Sequence, residues 1–402
     1  MATIKVKFRT SGSHGDSGLI YYLITHQRKQ RWLKTDYRIY SNEWDDKYSA
    51  IKFVIEDARE SVLREIRHKI SVDAERLGII VKTLEKRGLS YTVDDVISEF
   101  SGFSTRCSLI GFMKRVTAGL KNNGKVRTAE TYHATLRSFM AFRAGEDIRL
   151  DFLTSRYMES YQSWLLSRGI SMNTVSFYAR ILRAVYNRAV EDGMIESCNP
   201  FKHVYTGVDK TIKRALTADV IKRINALDLS FNYRLDYARD MFILSFMLRG
   251  MSLIDMAYLK KTALSNGYLT YRRRKTGQLL MIKWTQQMQS IINKYPTTDS
   301  CYLLPIISSN SRNERCAYRN AGYNINRSLK KIAAMVQIQV PLTLYVARHS
   351  WASIARAKGV PLSVISEGMG HDSEQTTQIY LASLDTSAID RANSMIIGSI
   401  AN

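Results

Sequence analysis

The chain has 402 residues, 45% apolar and 24% charged, the mix of a globular protein with sizeable cores, and at roughly 150 residues per domain it holds two or three domains. Lys and Arg number 59 against 36 Asp and Glu, a formal net charge of +23, which points to a polyanionic partner, nucleic acid first and an anionic membrane surface second. Five prolines and 21 glycines exclude collagen-like or low-complexity architecture, and no stretch reaches the about 18 consecutive apolar residues of a membrane span.

The first ten residues alternate Ile4, Val6 and Phe8 with Lys5, Lys7 and Arg9. That is a strand pattern without an apolar signal core, so a cytoplasmic protein is expected. Strands are predicted over Ile4–Arg9, Gly18–Thr25 and Arg31–Arg38, with Ser11–Gly18 as a hairpin connection. Arg28, Lys29, Arg31, Lys34 and Arg38 crowd the second hairpin; this small sheet is either a solvated face or lies against DNA. Residues 52–87 read as one long polar helix ended near Gly88.

From about 105 to 201 the pattern is helical. Tyr132, Leu136, Phe139 and Met140 share a helical spacing, as do Tyr157, Tyr161, Trp164 and Leu165, and the longest stripe runs Val175, Tyr178, Leu182, Val185, Tyr186, Ala189. Gly169 and Gly193 stand where helices should stop. These aromatics are expected in the core, and the basic residues around them, including Lys114, Arg115, Lys121, Lys125 and Arg127, are expected to meet phosphate. Asn199-Pro200-Phe201 breaks the last helix, and the basic stretch 202–214 reads as a linker. The boundaries are drawn at 1–103, 104–201, the linker, and 215–402. Cys107, Cys198, Cys301 and Cys316 lie far apart without a C-x-x-C pair and are expected to be reduced packing residues.

The third unit is mainly helical with one hairpin, Tyr268–Arg272 and Leu279–Trp284 around a turn at Lys275-Thr276-Gly277. Four of its segments set polar groups among apolar ones. The first holds Arg249, Ser252 and Asp255; an Arg there is costly unless paired, and Asp255 is one candidate partner. The second is the hairpin turn, a flexible exposed loop presenting the cations Arg272, Arg273, Arg274 and Lys275; it is either merely solvated or sets its three arginines against DNA. The third is Tyr345-Val-Ala-Arg348-His349-Ser-Trp351, and the fourth runs from Gly370-His371 through Thr376-Thr377 to Tyr380. In the last, Asp372 and Gln375 resemble a capping box, so a helix should start after His371. No H-E-x-x-H, D-x-D or phosphate-binding glycine loop occurs, so neither metal nor ATP is expected as a cofactor.

The order Arg, hairpin Lys, Arg-His, Gly-His and, nine residues on, Tyr resembles the tyrosine recombinases, or phage-type integrases. Gly370-His371-x4-Thr376-Thr377-x2-Tyr380 and a helical domain with Thr128-x-x-Thr131-Tyr132 closing on Asn199-Pro200-Phe201 carry the likeness over about residues 105–395. The wording around Arg249 and Tyr345 looks like the branch of Bacteroides-type mobile elements. The resemblance implies an α+β chain, mainly α with small β elements: an N-terminal arm-type DNA-binding sheet domain, a helical SAM-like core-binding domain and a tyrosine-recombinase catalytic domain. It implies Tyr380 as nucleophile forming a 3′-phosphotyrosyl link, Arg249 and Arg348 with His371 on the phosphate oxygens, and Lys275 as general acid. It further implies double-stranded DNA as partner, a homotetramer on two DNA sites exchanging strands through a Holliday junction, and accessory DNA-bending or excision factors. The apolar tail Asp390–Ile400 either docks on a neighbouring subunit or closes its own core.

Two positions depart from the family pattern. Ser252 stands where an Arg is usual three residues before Asp255; Arg249, one turn earlier, would share a helical face with it and is assigned the role, with Ser252 adding a hydroxyl contact. Tyr345 stands where a His is usual, and a neutral phenol can hydrogen-bond a phosphate but is a poor base at pH 7, so no general base is assigned. His349 is read as a structural hydrogen-bonder beside Arg348. Two rival readings remain, a type IB topoisomerase-like enzyme and a DNA-binding relative that has lost catalysis.

Overall fold

The computed structural model describes residues 1–10, 16–53, 59–88, 90–209, 214–297, 300–307, 311–381 and 396–397, with the backbone alone at 379–381. The chain forms two compact units, Met1–Asp209 and Lys210–Asn402.

The first unit opens with an antiparallel meander of β1 (Thr3–Thr10), β2 (Ser17–His26) and β3 (Lys29–Tyr40), each containing its predicted strand. Alternation decides the faces. Ile20, Tyr22, Ile24 and Ile39 are buried, whereas Lys5, Arg9, Trp32, Lys34 and Arg38 are exposed. Gln27 and Arg28, both at positive φ (49° and 64°), make the two-residue turn between β2 and β3, the form that matches strand twist. A short ribbon, β4 (Trp44–Asp45) with β5 (Ala50–Ile51), follows. The long helix α1 covers Glu60–Lys86 and stops at Gly88; of its expected first residues, 52–53 are not helical and 54–58 lie outside the described residues.

Helix α2 (Val93–Arg106), missed in the sequence, is capped reciprocally by Thr92 and Asp95 and buries Val93, Val96, Phe100 and Phe103. A bundle then forms from α3 (Leu109–Asn122), α4 (Val126–Phe142), α5 (Ser155–Ser167) and α6 (Met172–Glu191). Phe139, Tyr161, Leu165, Leu182, Val185 and Tyr186 are buried in it, so the aromatic stripes are core. One polar cluster lies inside this unit. The hydroxyls of Tyr22 (β2) and Tyr37 (β3) donate to Asp73 Oδ2 on α1 at 2.7 and 2.8 Å. Arg149 pairs with Asp73 and, at 2.6 Å, with Asp151. Residues 202–209 do not run free as a linker: Phe201 and Val204 are buried in the bundle core, and Ser176 Oγ donates to the Gly207 carbonyl at 2.6 Å.

The second unit contains α7 (Ala218–Asn225), the core helix α8 (Tyr233–Met247) and the short α9 (Leu253–Ala257). Strands β6 (Leu264–Ser265), β7 (Tyr268–Arg272) and β8 (Leu279–Lys283) form a second meander, with the predicted hairpin between β7 and β8. Then come α10 (Gln286–Lys294), α11 (Glu314–Met335), α12 (Leu344–Ala357), α13 (Leu362–Met369) and α14 (Glu374–Leu381). Helix α8 buries Ala238, Met241, Phe242, Ile243 and Leu244 on every side, as a central helix does.

All four cysteines are unpaired, but only Cys107 is buried; Cys198, Cys301 and Cys316 are exposed, contrary to their expected place as packing residues. The apolar tail Asp390–Ile400 lies outside the described residues except for Ile396 and Ile397. Among the described residues no helix is long and apolar enough to cross a membrane.

Candidate active site

The second unit brings segments far apart in sequence to one place, around Arg348. This side chain is 4% exposed on α12. Its Nη1 donates to the Gly250 carbonyl at 3.0 Å and its Nη2 to the Met369 carbonyl at 2.7 Å, and Nη2 also meets His371 Nε2 at 3.0 Å. A buried guanidinium is tolerable because these acceptors replace its water. The approach is so close that a side chain on Gly250 would meet Arg348 Cα at 2.5 Å, and Gly250 also stands at φ 73°. Only glycine satisfies both conditions.

Arg249 precedes it with φ 57°. Two consecutive left-handed residues end the α8 segment, and α9 starts only at Leu253 with Ser252 as its cap. Arg249 and Ser252 therefore do not share a helical face, which corrects the expected geometry. Arg249 is half-buried and reaches α13, where a Cβ on Gly368 would lie 3.6 Å from its Cδ. Ser252 Oγ donates to Asp255 Oδ2 at 2.7 Å, while Asp255 Oδ1 accepts from the Arg274 backbone amide at 2.9 Å. The buried Asp255 thus anchors the hairpin turn, and among the described residues it makes no ion pair with Arg249.

The turn itself departs from expectation at Arg273. That residue is buried, with its guanidinium on the Gly370 carbonyl, and does not stand with the exposed cations Arg272, Arg274 and Lys275. Thr276 Oγ1 donates to the same carbonyl at 3.2 Å and Gln278 Nε2 to the His371 carbonyl at 3.0 Å. Three donors therefore pin the hairpin to Gly370-His371. Arg274 lies 4.1 Å over the Tyr258 ring. Lys275, exposed at the tip, is close enough that its charge acts on His371.

His371 follows the α13 cap and donates its backbone amide to Ser366 at 3.0 Å. Burial, then the charges of Arg348, Arg273 and Lys275, push its pKa down to about 4. The imidazole is neutral at pH 7. Its Nδ1 meets the hydroxyl of Thr377, fully buried on α14, at 2.7 Å. The N-terminal cap of α14 is Ser373, whose Oγ accepts from the Thr376 amide at 3.3 Å, one residue later than the expected Asp372 box. Tyr380 is on this helix, three residues after Thr377; its side chain lies outside the described residues.

Tyr345 is 55% exposed on the first turn of α12, with its ring edge-on to the buried His349 at 4.7 Å. Tyr271 on β7 was not singled out in the sequence, yet it sits within the field of Arg348, Arg273 and Arg249. Burial first, then Asp255, push its hydroxyl up to about 12 against the pull of those cations. Thr377 and Arg273 were likewise missed as supports, since nothing local marks either as the partner of a distant backbone or ring.

Of the expected phosphate-facing cations in the first unit, Arg28, Lys29, Lys34, Lys114, Lys121 and Lys125 are exposed. Arg31 is exposed but paired with Asp94 at 3.2 Å, Arg127 pairs with Glu130 at 3.2 Å, and Arg115 donates to the Arg106 carbonyl at 2.8 Å. The outer sheet face also carries aromatics: Arg9 stacks 4.1 Å over Trp32, which meets Tyr21 edge-on at 6.1 Å.

Comparison with known proteins gives a consistent result. The model of the phage integrase SAM-like domain matches residues 108–206, and that of the phage integrase family matches residues 214–387. The tyrosine recombinase XerA of Pyrococcus furiosus is 26% identical over 249 residues, covering 60% of this chain and 81% of that protein. The fold is similar to lambda integrase, as a dimer bound to a COC′ core site (TM-score 0.55, 14% identity, 94% of this chain and 98% of that one) and as a tetramer bound to a Holliday junction (TM-score 0.51, 16% identity, 92% and 96%). It is also similar to the Tn1549 transposon integrase in complex with transposon right end DNA (TM-score 0.52, 14% identity, 72% and 98%).

Proposed function

The chain belongs to the tyrosine recombinases of the phage integrase family, and from that membership we propose how this site-specific recombinase cuts and rejoins DNA. A phosphodiester can be broken and resealed without ATP if its energy is kept in a covalent ester. Tyr380 is the nucleophile: its oxygen attacks the scissile phosphate, giving a 3′-phosphotyrosyl link and a free 5′-hydroxyl, and attack by a partner strand's 5′-hydroxyl reverses the step through a Holliday junction. Arg348 and Arg249 hold the non-bridging oxygens and His371 donates to one of them. Lys275, on the pinned hairpin, protonates the leaving deoxyribose oxygen. His371 with a pKa near 4 is a weak base, so the Tyr380 hydroxyl gives its proton to water as it attacks, and the site's cations favour the phenolate. Tyr345 supplies a phosphate hydrogen bond in place of the usual His, His349 steadies it, and Ser252 acts through Asp255 and the hairpin.

The observation that carries this reading is the direct contact of Arg348 with His371, on a floor to which the Lys275 hairpin is fastened. The exposed basic and aromatic face of β1–β3 serves as the arm-type DNA surface, and the cations of α3 and its following turn serve the core site. A tetramer on two duplexes follows the lambda integrase tetramer bound to a Holliday junction; the family resemblance adds accessory DNA-bending or excision factors, and the wording around Arg249 and Tyr345 supports a mobile element of the Bacteroides type. Such an enzyme acts in the cytoplasm, at the nucleoid.

The test is a nicked suicide duplex carrying the element's own end, with EDTA present and a denaturing gel as readout. A covalent band is expected, and it should vanish in Tyr380→Phe while DNA binding persists. Binding without a band in the native protein would favour the non-catalytic relative, and a band that survives Tyr380→Phe would move the nucleophile elsewhere. Exchange between two DNA molecules separates the recombinase from a topoisomerase, which relaxes one.

A further inference from the structure

Thr377 is the buried group on which His371 depends. The ring is neutral around pH 7, so the position of its single proton decides which nitrogen donates and which accepts. A guanidinium has no acceptor. The 3.0 Å contact between Arg348 Nη2 and His371 Nε2 therefore has Arg348 donating and Nε2 accepting. The proton is then on Nδ1, donated to the Thr377 hydroxyl at 2.7 Å. In this state His371 cannot donate to a phosphate.

We infer that Thr377 is a positioning residue that lets His371 exchange tautomers when a phosphate enters the site. The inference rests on the reading of His371 as a phosphate donor. When phosphate oxygens take the donors of Arg348, Nε2 loses its partner and gains an acceptor to which it must donate. The exchange is proton-neutral: Nε2 takes a proton from water while Nδ1 gives one back. Nδ1 is then a lone pair and needs a donor. A hydroxyl both accepts and donates, so Thr377 satisfies Nδ1 in either state without moving. Thr376, its neighbour, is exposed and engaged with Ser373 Oγ at 3.1 Å, so the two threonines of the motif have different tasks. The contact also fastens α14, the helix that carries Tyr380, to the ring that meets the phosphate.

Thr377→Val keeps the shape and removes the hydroxyl, while Thr377→Ser keeps the hydroxyl and trims a methyl. Nitrogen-15 NMR of the full chain, labelled at histidine, reads the tautomer of His371 without DNA. The native protein is expected to show protonated Nδ1 when free and protonated Nε2 on titration with inorganic phosphate. Thr377→Ser should behave alike, whereas Thr377→Val, whose free ring Arg348 still holds protonated at Nδ1, should need several-fold more phosphate to reach the Nε2-protonated form, because its Nδ1 lone pair then has no donor. In the adduct assay Thr377→Val should cleave about 10–100-fold more slowly at unchanged DNA affinity, as expected for loss of a ring-orienting partner, with Thr377→Ser restoring the rate. A native free protein protonated at Nε2, a native spectrum unchanged by saturating phosphate, or a Thr377→Val that cleaves like the native enzyme would each overturn the inference. So would a Thr377→Ser as slow as Thr377→Val, since that pattern reports packing alone. The NMR readout needs no covalent step, so it stands or falls apart from the assignment of Tyr380 as nucleophile.

Discussion

Arg249 stands in the left-handed region, a conformation costly for a side-chain-bearing residue and concentrated at sites where surrounding structure imposes it. Its stem reaches α13 at Gly368, and its charge acts with those of Arg348 and Arg273 on the Tyr271 hydroxyl. Arg249→Ala should therefore lower the rate of adduct formation by about 10²–10³-fold, the usual loss for one oxyanion donor, with DNA affinity nearly unchanged. Ser252→Ala should instead cost about 1 kcal/mol of stability through loss of the α9 cap and keep most of the cleavage. A crippled Ser252→Ala beside an active Arg249→Ala would reverse the two roles. The pH response of His371 also has a definite sign. Its folded pKa of about 4 lies below the unfolded value of about 6.5, so between these the unfolded chain binds the extra proton. This group's contribution to stability is complete above about pH 6.5 and is lost as the pH falls through about 4. His371→Gln should flatten the pH dependence of the denaturation midpoint between about pH 6.5 and 5, and an unchanged slope would show that the ring titrates as in water.

At the scale of elements, the Asp73 cluster fastens β2, β3 and α1 to the segment before α5, because the buried Tyr22 and Asp73 and the half-buried Tyr37, Arg149 and Asp151 satisfy one another there. Burial lifts the Asp73 carboxyl against the pull of Arg149, so the pair holds only while both partners remain. Asp73→Asn should lower unfolding stability by about 3 kcal/mol or more, as for breaking a buried ion pair, and Tyr22→Phe by about 1 kcal/mol, as for one hydrogen bond. Denaturant midpoints of equal size for the two variants would mean that the pair carries no such weight. None of this cluster was legible in the sequence, for a reason that separates it from what was. The strands of the meander, the β7–β8 hairpin and the helix stops at Gly88, Gly169 and Gly193 are written locally, in alternation and in positive φ. Helix α2 is equally local, its start marked by the Thr92–Asp95 cap. The burial of Arg273 and the partners of Asp73 and Thr377 depend on which distant segments meet, and a motif names such residues without giving their contacts.

At the scale of the whole molecule, an excess of 23 positive charges does not mean that 23 cations reach DNA. Arg149, Arg239, Arg273 and Arg348 have their guanidinium groups tied to carboxylates or backbone carbonyls inside the two units, where they build structure and the catalytic floor. The cations free to release counterions from DNA are those on the surface, among them Lys34, Lys114, Lys121 and Lys125. Binding should still weaken steeply with salt, by about 10³–10⁵-fold between about 50 and 200 mM if six to ten phosphates are met. The division between buried and exposed charge makes this a sharper prediction than net charge alone. Replacing Lys121 and Lys125 together by Ala should reduce the slope of log affinity against log salt by about 1.8, at about 0.9 for each phosphate left unneutralised, and should do so equally on specific and unrelated duplexes. Arg273→Ala removes the same kind of charge from the sequence but should leave that slope unchanged, because its loss is felt at Gly370 and therefore in cleavage. Equal changes in slope for the surface pair and for Arg273→Ala, measured by fluorescence anisotropy across a salt series, would show that the buried guanidinium reaches DNA after all.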